Sequence, residues 1–296
     1  MENSNYKSGY IAVIGKPNTG KSTIINYLLG QKLNIVTSRP QTTRNKIIGI
    51  STTEKYQMIF IDTPGIHKPK TLLGDHMVKE ARNSLTDADI VLFVIESTGL
   101  TKEDELVADV LKHFHKPVFL IINKSDKVMK NEMLPVIDEV QGWHSFTDTI
   151  PISAVKGDNM ETLRKILIEN LPNGPQYYPL DQVSDKQERF FVTEIIREQT
   201  LRYLQEEVPH SVAVKLEEMK DRTPSLSYVK AVIFVERDSQ KLIIIGKNGQ
   251  QIKKIGEESR KILENFLDRK VYLELWVKVS KNWRKNPLAL KELGYA

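Results

Sequence analysis

No cysteine occurs anywhere in the sequence, which excludes disulfides, thiolate metal sites and thiol nucleophiles and suits a reducing cytoplasm. No apolar run approaches the roughly 18 to 20 residues needed to cross a bilayer. The opening stretch MENSNYKSGY lacks the apolar core of a signal peptide, so the expectation is a cytoplasmic chain. Histidines are few and do not converge: His113 and His115 stand two apart after a helical pattern, too isolated for a metal site. There is no internal repeat and no low-complexity tract.

What is present is enough for two domains. A chain of 296 residues, 40% hydrophobic and 27% charged, can bury two separate cores. The net charge of +5 is unevenly placed. Residues 1–185 hold 21 Lys and Arg against 22 Asp and Glu, and residues 186–296 hold 22 against 16. A polyanion partner would sit on the second part; a merely solvated surface is the plainer alternative.

Between residues 10 and 170, short apolar runs (YIAVI, QMIFI, IVLFVI, VFLII) alternate with amphipathic stretches (STIINYLLG, DELVADVLKHF, NMETLRKILIENL). That alternation predicts a doubly wound, mostly parallel α/β sheet. LPNGPQYYPLDQVSD, residues 171–185, carries three prolines and no sustained period, and reads as a linker. We place one domain at 8–173, a linker at 174–185 and a second domain at 186–296. The second has a helix, two strands, a glycine loop, a helix and a last strand, an α+β arrangement. In the last strand Val271, Leu273, Leu275, Val277 and Val279 alternate with polar or larger residues, as one face of a sheet meeting a core requires.

GKPNTGKS, residues 15–22, follows a strand and opens a helix. In that setting the loop Gly15, Lys16, Pro17, Asn18, Thr19 and Gly20, through the backbone amides of its non-proline residues, and the helix start at Lys21, Ser22 and Thr23 surround phosphate oxygens. Lys21 reaches the outer phosphates and the Ser22 hydroxyl can ligate Mg²⁺. In DTPG, Asp62 can hold the metal and Gly65 can present its amide to the terminal phosphate; Thr63 and Pro64 lie between them. NKSD places Asn123, Lys124 and Asp126 after another strand. A carboxylate such as Asp126 accepts both N–H groups along the edge of guanine, a pair adenine lacks. Ser153 and Ala154, in ISA, can add a backbone amide for the guanine carbonyl.

In order and spacing these four motifs resemble those of the small translation-factor-like GTPases. The resemblance implies binding of GTP and GDP, a Mg²⁺ cofactor and hydrolysis carried by Lys21, Thr43, Asp62 and Gly65. QTTR, residues 41–44, sits where that family keeps a switch loop whose threonine meets Mg²⁺. A Thr-Arg unit in related bacterial GTPases favours Thr43, with Thr42 left open. Ras-like relatives have glutamine after the DxxG glycine to orient water. Ile66 stands there instead, so slow intrinsic turnover is expected. Asn18 resembles an asparagine that holds K⁺ in some relatives; it also suits a tight loop with no ion. His67 lies in the same region, either near the phosphates or solvated.

The second glycine loop, GKNG at 246–249, lacks the Lys-Ser/Thr of a nucleotide cradle. Gly-x-x-Gly between helices is the element with which KH domains clamp about four nucleotides of RNA. Lys241, Lys247, Lys253 and Lys254 supply charge for a sugar-phosphate chain, and Ile245, Gly246, Asn248, Gly249 and Ile252 complete the candidate contact. The element order resembles type II KH domains.

Taken whole, these motifs, with RFFVTEIIRE, VIFVER and LELWVKV, resemble the Era family of bacterial ribosome-assembly GTPases. The family implies a monomer that binds the 3′ end of small-subunit ribosomal RNA and the immature small subunit, with peripheral membrane association in some members. Two other readings remain, a nucleotide-phosphorylating enzyme and an RNA-binding scaffold with a vestigial nucleotide site. Trp276 and Trp283 could stack on bases, with core or interface packing the plainer expectation, and the acidic run Glu103, Asp104 and Glu105 is expected to complement a helix dipole.

Overall fold

The computed structural model describes residues 6–37, 39 and 41–295; Met1–Asn5 of the opening stretch read above lie outside them. The chain divides into two compact units. The first comprises Met1–Val36, Thr43–Lys70 and Gly74–Asp185, the second Thr37–Thr42, Thr71–Leu73 and Lys186–Ala296.

The first unit is built on β1 (Lys7–Ile14), β2 (Ile47–Thr52), β3 (Tyr56–Asp62), β4 (Ile90–Glu96), β5 (Val118–Asn123) and β6 (Asp148–Pro151). They lie in the order β2-β3-β1-β4-β5-β6, parallel except for the antiparallel edge strand β2. Helices α1 (Lys21–Leu29), α2 (Leu72–Asp87), α3 (Lys102–Leu111), α4 (Lys130–Gln141) and α5 (Met160–Asn170) connect them. The central strands read as unbroken apolar runs because both faces are covered. In β1, Ile11 and Val13 enter one core with Ile24 and Leu28 of α1, while Ala12 and Ile14 enter another with Val107 of α3.

Strand β1 lies between β3 and β4, so the chain leaves it toward opposite sides of the sheet. In open α/β sheets the crevice at such a switch point, beyond the carboxyl ends of the strands, is where ligands bind. The loop after β1 occupies that position.

The stretch read as a linker groups with the first unit. Asn173 bridges Lys7 and Ser184 bridges Gly49, and the buried Gln57 amide donates to the carbonyl of Tyr178 at 2.9 Å and accepts from the amides of Tyr177 and Tyr178. A proline-rich chain with no periodicity can still be held in place when each polar group it buries finds a partner.

The second unit has α6 (Glu188–Arg202), β7 (Ala213–Thr223), β8 (Leu226–Val235), α7 (Asp238–Ile245), α8 (Gln250–Leu267), β9 (Lys270–Val279) and α9 (Pro287–Glu292). Strands β7 and β8 are antiparallel, β8 and β9 parallel. Two helices therefore form the crossover from β8 to β9, with the glycine turn between them. Val271 and Val277 are in the core and Leu273, Leu275 and Val279 pack on it, as the alternation predicts. The tryptophans differ. Trp283 is fully buried, donates from Nε1 to the Ser211 carbonyl at 2.8 Å and stacks on Tyr295. Trp276 is 53% exposed on β9 because it falls on the face opposite that core, so it is not a core residue.

Candidate nucleotide site and nucleic-acid interface

The loop 15–22 wraps the Lys21 side chain. Its ammonium is buried and donates to the carbonyls of Gly15 at 3.1 Å and Lys16 at 2.7 Å. Burial pushes its pKa down to about 8, against the pull of Asp62, Asp104 and Glu96 in the other direction. A phosphate beside it would reverse that shift. Gly20 precedes α1 with φ of 95°, and a Cβ there would meet the Asn123 amide nitrogen at 2.2 Å.

The Ser22, Thr43 and Asp62 side chains converge. Ser22 Oγ lies 3.0 Å from Thr43 Oγ1 and donates to Asp62 Oδ2 at 2.8 Å; Thr43 Oγ1 donates to the same oxygen at 3.3 Å. Asp62 is fully buried, and its Oδ1 has no partner among the described residues. Burial raises its pKa to about 6, with the Ser22 hydroxyl and the Lys21 ammonium opposing the rise. Two hydroxyl oxygens beside a desolvated carboxylate with one free oxygen suit a small divalent cation. Thr42 is elsewhere: its hydroxyl is 2.8 Å from that of Thr37 and donates to the Arg39 carbonyl at 2.7 Å.

The DTPG loop lies against the first loop. A Cβ on Gly65 would meet Pro17 N at 2.5 Å, so only glycine permits the approach. The Ile66 amide donates to the Gly15 carbonyl at 3.1 Å, and its side chain is buried in the core with Ile14 and Ile61. Ile66 is thus an anchor for the loop and not a group facing solvent. Thr63 donates from Oγ1 to the Val13 carbonyl at 2.7 Å. His67 Nδ1 sits 2.9 Å from the Gly65 carbonyl, and Asn18 is exposed with φ of 67°.

Asn123 is buried and staples three loops. It donates to the Thr19 carbonyl at 2.7 Å and accepts from the amides of Lys124 at 2.8 Å and Ala154 at 3.1 Å. Asp126 is exposed, and Ser153 Oγ donates to it at 2.7 Å. That bond holds its pKa below the usual carboxylate range, so it stays an acceptor. Lys124 extends to Glu96 at 2.5 Å.

One pairing escaped the motifs. Lys16 Nζ donates to Asp104 Oδ2 at 2.8 Å and to Thr101 Oγ1 at 3.2 Å, and Asp104 is fully buried. The acidic run at the start of α3 is thus not uniform: Asp104 faces the first loop.

In the second unit, Gly246 (φ 71°), Asn248 (φ 52°) and Gly249 (φ 75°) carry the turn through left-handed backbone. Lys247 and Asn248 project at its exposed tip. Beside it, a groove of about 440 Å³ runs between α8 and β9. Of the predicted contact residues, Ile252 and Lys253 line it; Gly256, Arg260, Tyr272 and Leu275 also line it and were not among the predicted contacts. Lys253, Gly256 and Arg260 follow at helical spacing, which could have flagged them. Lys254 instead places its ammonium 5.0 Å from the Tyr203 ring, and Ile245 and Lys241 are half-buried on α7.

A phosphate-cradling loop at the switch point, a buried aspartate among hydroxyls and an Asn-Lys-x-Asp loop define a P-loop GTPase, here followed by a KH domain. Residues 10–124 match the family described as 50S ribosome-binding GTPase, and residues 207–284 match the KH domain. A crystal structure of Era with MgGDPNP and nucleotides 1506–1542 of 16S ribosomal RNA aligns at 44% identity with a TM-score of 0.95, covering 98% of this chain and 99% of that one. A variant of Aquifex aeolicus Era bound to GDP·AlF4⁻ aligns at 43% identity with a TM-score of 0.93 over the same shares. The chain belongs to the Era family, and it is a GTPase that binds RNA through its KH domain.

Proposed function

We propose that this protein is a GTP-timed RNA clamp that binds the 3′ end of small-subunit ribosomal RNA and acts on the immature small ribosomal subunit. The observation that carries the timing half is the convergence of Ser22, Thr43 and the unsatisfied Asp62 carboxylate beside the buried Lys21 ammonium. The Era structure bound to 16S nucleotides supports the choice of RNA. In this reading Ser22, Thr43 and Asp62 hold Mg²⁺, and the ion, when bound, supplies positive charge to the outer phosphate oxygens. Lys21 and the amides around Gly65 stabilise charge as the bond to the γ-phosphoryl group breaks and water adds. Asp126 reads guanine.

Asn18 is assigned to a K⁺ ion that supplies charge where no glutamine orients water. The GKNG turn with Lys247 and Lys253 holds the sugar-phosphate chain, and bases enter the groove beside Tyr272. The protein acts as a monomer in the cytoplasm, touching the inner membrane surface only peripherally. Among the described residues no helix is long and apolar enough to cross a membrane.

The decisive experiment is Asp126→Asn. Replacing one acceptor oxygen by a donor amide clashes with a guanine N–H and suits the xanthine carbonyl. The expected result is a switch of preference from GTP to xanthosine triphosphate, read in competition binding. Retained GTP preference would remove Asp126 from the base site.

A further inference from the structure

We propose that Asp104, on α3 and outside every nucleotide motif, is a positioning residue of the GTPase site that acts through Lys16. Lysine and aspartate are almost never fully buried unless paired, and here each is the other's partner. One oxygen of Asp104 receives the Lys16 ammonium at 2.8 Å, the Thr101 amide at 2.8 Å and the Thr101 hydroxyl at 2.9 Å. The side chains are 11% and 0% exposed. The usual capping carboxylate closes a helix start at the surface. This one closes α3 and also fastens it to the phosphate loop.

What Lys16 fixes is its own peptide. The Lys16 carbonyl accepts from the Lys21 ammonium at 2.7 Å and from Thr19 Oγ1 at 3.2 Å. The neighbouring Gly15 carbonyl accepts from Lys21 at 3.1 Å and from the Ile66 amide at 3.1 Å. An ammonium has three protons, so two carbonyls aim the third, and that one is left for an outer phosphate. The peptide Lys16 shares with Pro17 is also the surface on which Gly65 rests. Release of Lys16 from Asp104 frees the peptides that aim Lys21 and support the DTPG loop. A misplacement of about 1 Å in such a site costs roughly a hundredfold in rate.

The inference rests on the GTPase reading of this site. It is tested in the full-length protein with Asp104→Asn, Lys16→Met and the double variant. Asparagine keeps an acceptor for the Thr101 amide but removes the anion; the double variant leaves no buried charge unpaired and serves if a single variant fails to fold. Turnover with Mg²⁺ is measured at a fixed interval below each Tm, and dissociation constants are measured for GDP and a non-hydrolysable GTP analogue. Expected are a fall in kcat of at least tenfold in each single variant and a loss of analogue affinity at least fivefold greater than the loss for GDP. The double variant should be no worse than the worse single one. Turnover within twofold of the parent, equal losses for both nucleotides, effects that multiply in the double variant, or tighter analogue binding would each overturn the clamp. Absence of GTP turnover in the unmodified protein would defeat the GTPase reading instead.

Discussion

At the scale of residues, the nucleotide site is organised by groups that desolvation makes costly. Lys21 and Asp62 are both buried and their pKa values are pushed toward each other, to about 8 and about 6. Phosphate and a divalent cation would relieve both at once, because each supplies the opposite charge. Ile66 belongs to the same argument. Its side chain is in the core, so the position that orients water in Ras-like relatives is closed to that task. In the proposed reading, part of the charge for the transition state comes from K⁺ held at the Asn18 position. The expected outcome is turnover at least tenfold faster in K⁺ than in Na⁺ at equal ionic strength; equal rates in the two salts would leave Asn18 as a turn residue only. Asp126 and Asn123 show how one motif divides its labour. Asp126 is exposed and held by Ser153, whereas Asn123 is buried and ties the first loop to the ISA loop.

At the scale of elements, amphipathic patterns were readable and irregular ones were not. Strands β1, β3, β4 and β5 and helices α1, α3 and α5 follow the apolar runs and periods from which they were predicted. Strand β2, at the edge, was not singled out: its Gly49 faces Leu29 so closely that a Cβ would lie 2.7 Å from Leu29 Cδ1, a tertiary constraint without sequence period. Helix α4 contains Pro135, which breaks the signal a helix usually leaves. In the KH domain the glycine turn was legible, but half of the groove beside it was not, since Tyr272 and Leu275 come from β9, a separate element from the helix that carries Lys253. The two should behave differently. Lys253→Ala is expected to weaken RNA binding and lower the salt dependence by about one phosphate contact. Tyr272→Ala should weaken binding by about 1–3 kcal/mol, the contribution of one stacked base, with the salt slope intact. Titrations of RNA at several KCl concentrations separate the outcomes; an unchanged slope for Lys253→Ala would take that ammonium off the phosphate path.

At the scale of the whole molecule, the division of the chain bears on the timing mechanism. Residues Thr37–Thr42, just before Thr43, group with the second unit. Within that unit the buried Arg197 guanidinium donates to the Thr42 carbonyl. In the proposed timing, ordering of Thr43 by Mg²⁺ and the γ-phosphate would switch this loop between two states, as switch loops do. RNA affinity is expected to differ at least fivefold between the GDP form and the form with a non-hydrolysable GTP analogue, a coupling within the usual range. Matching affinities would leave two independent modules on one chain.

By itself the sequence determined the two domain classes, the four nucleotide motifs and the glycine turn, because each is a local pattern: a strand end, a loop length and residue types that one backbone conformation demands. Tertiary structure alone decided that Thr43 and not Thr42 lies beside Asp62, that Ile66 is a core residue, that the proline-rich stretch before Lys186 is packed on the first sheet and that Asp104 meets Lys16. Each of these depends on which distant elements become neighbours, and no period in a linear chain records the partner across a sheet or the direction of a buried charge.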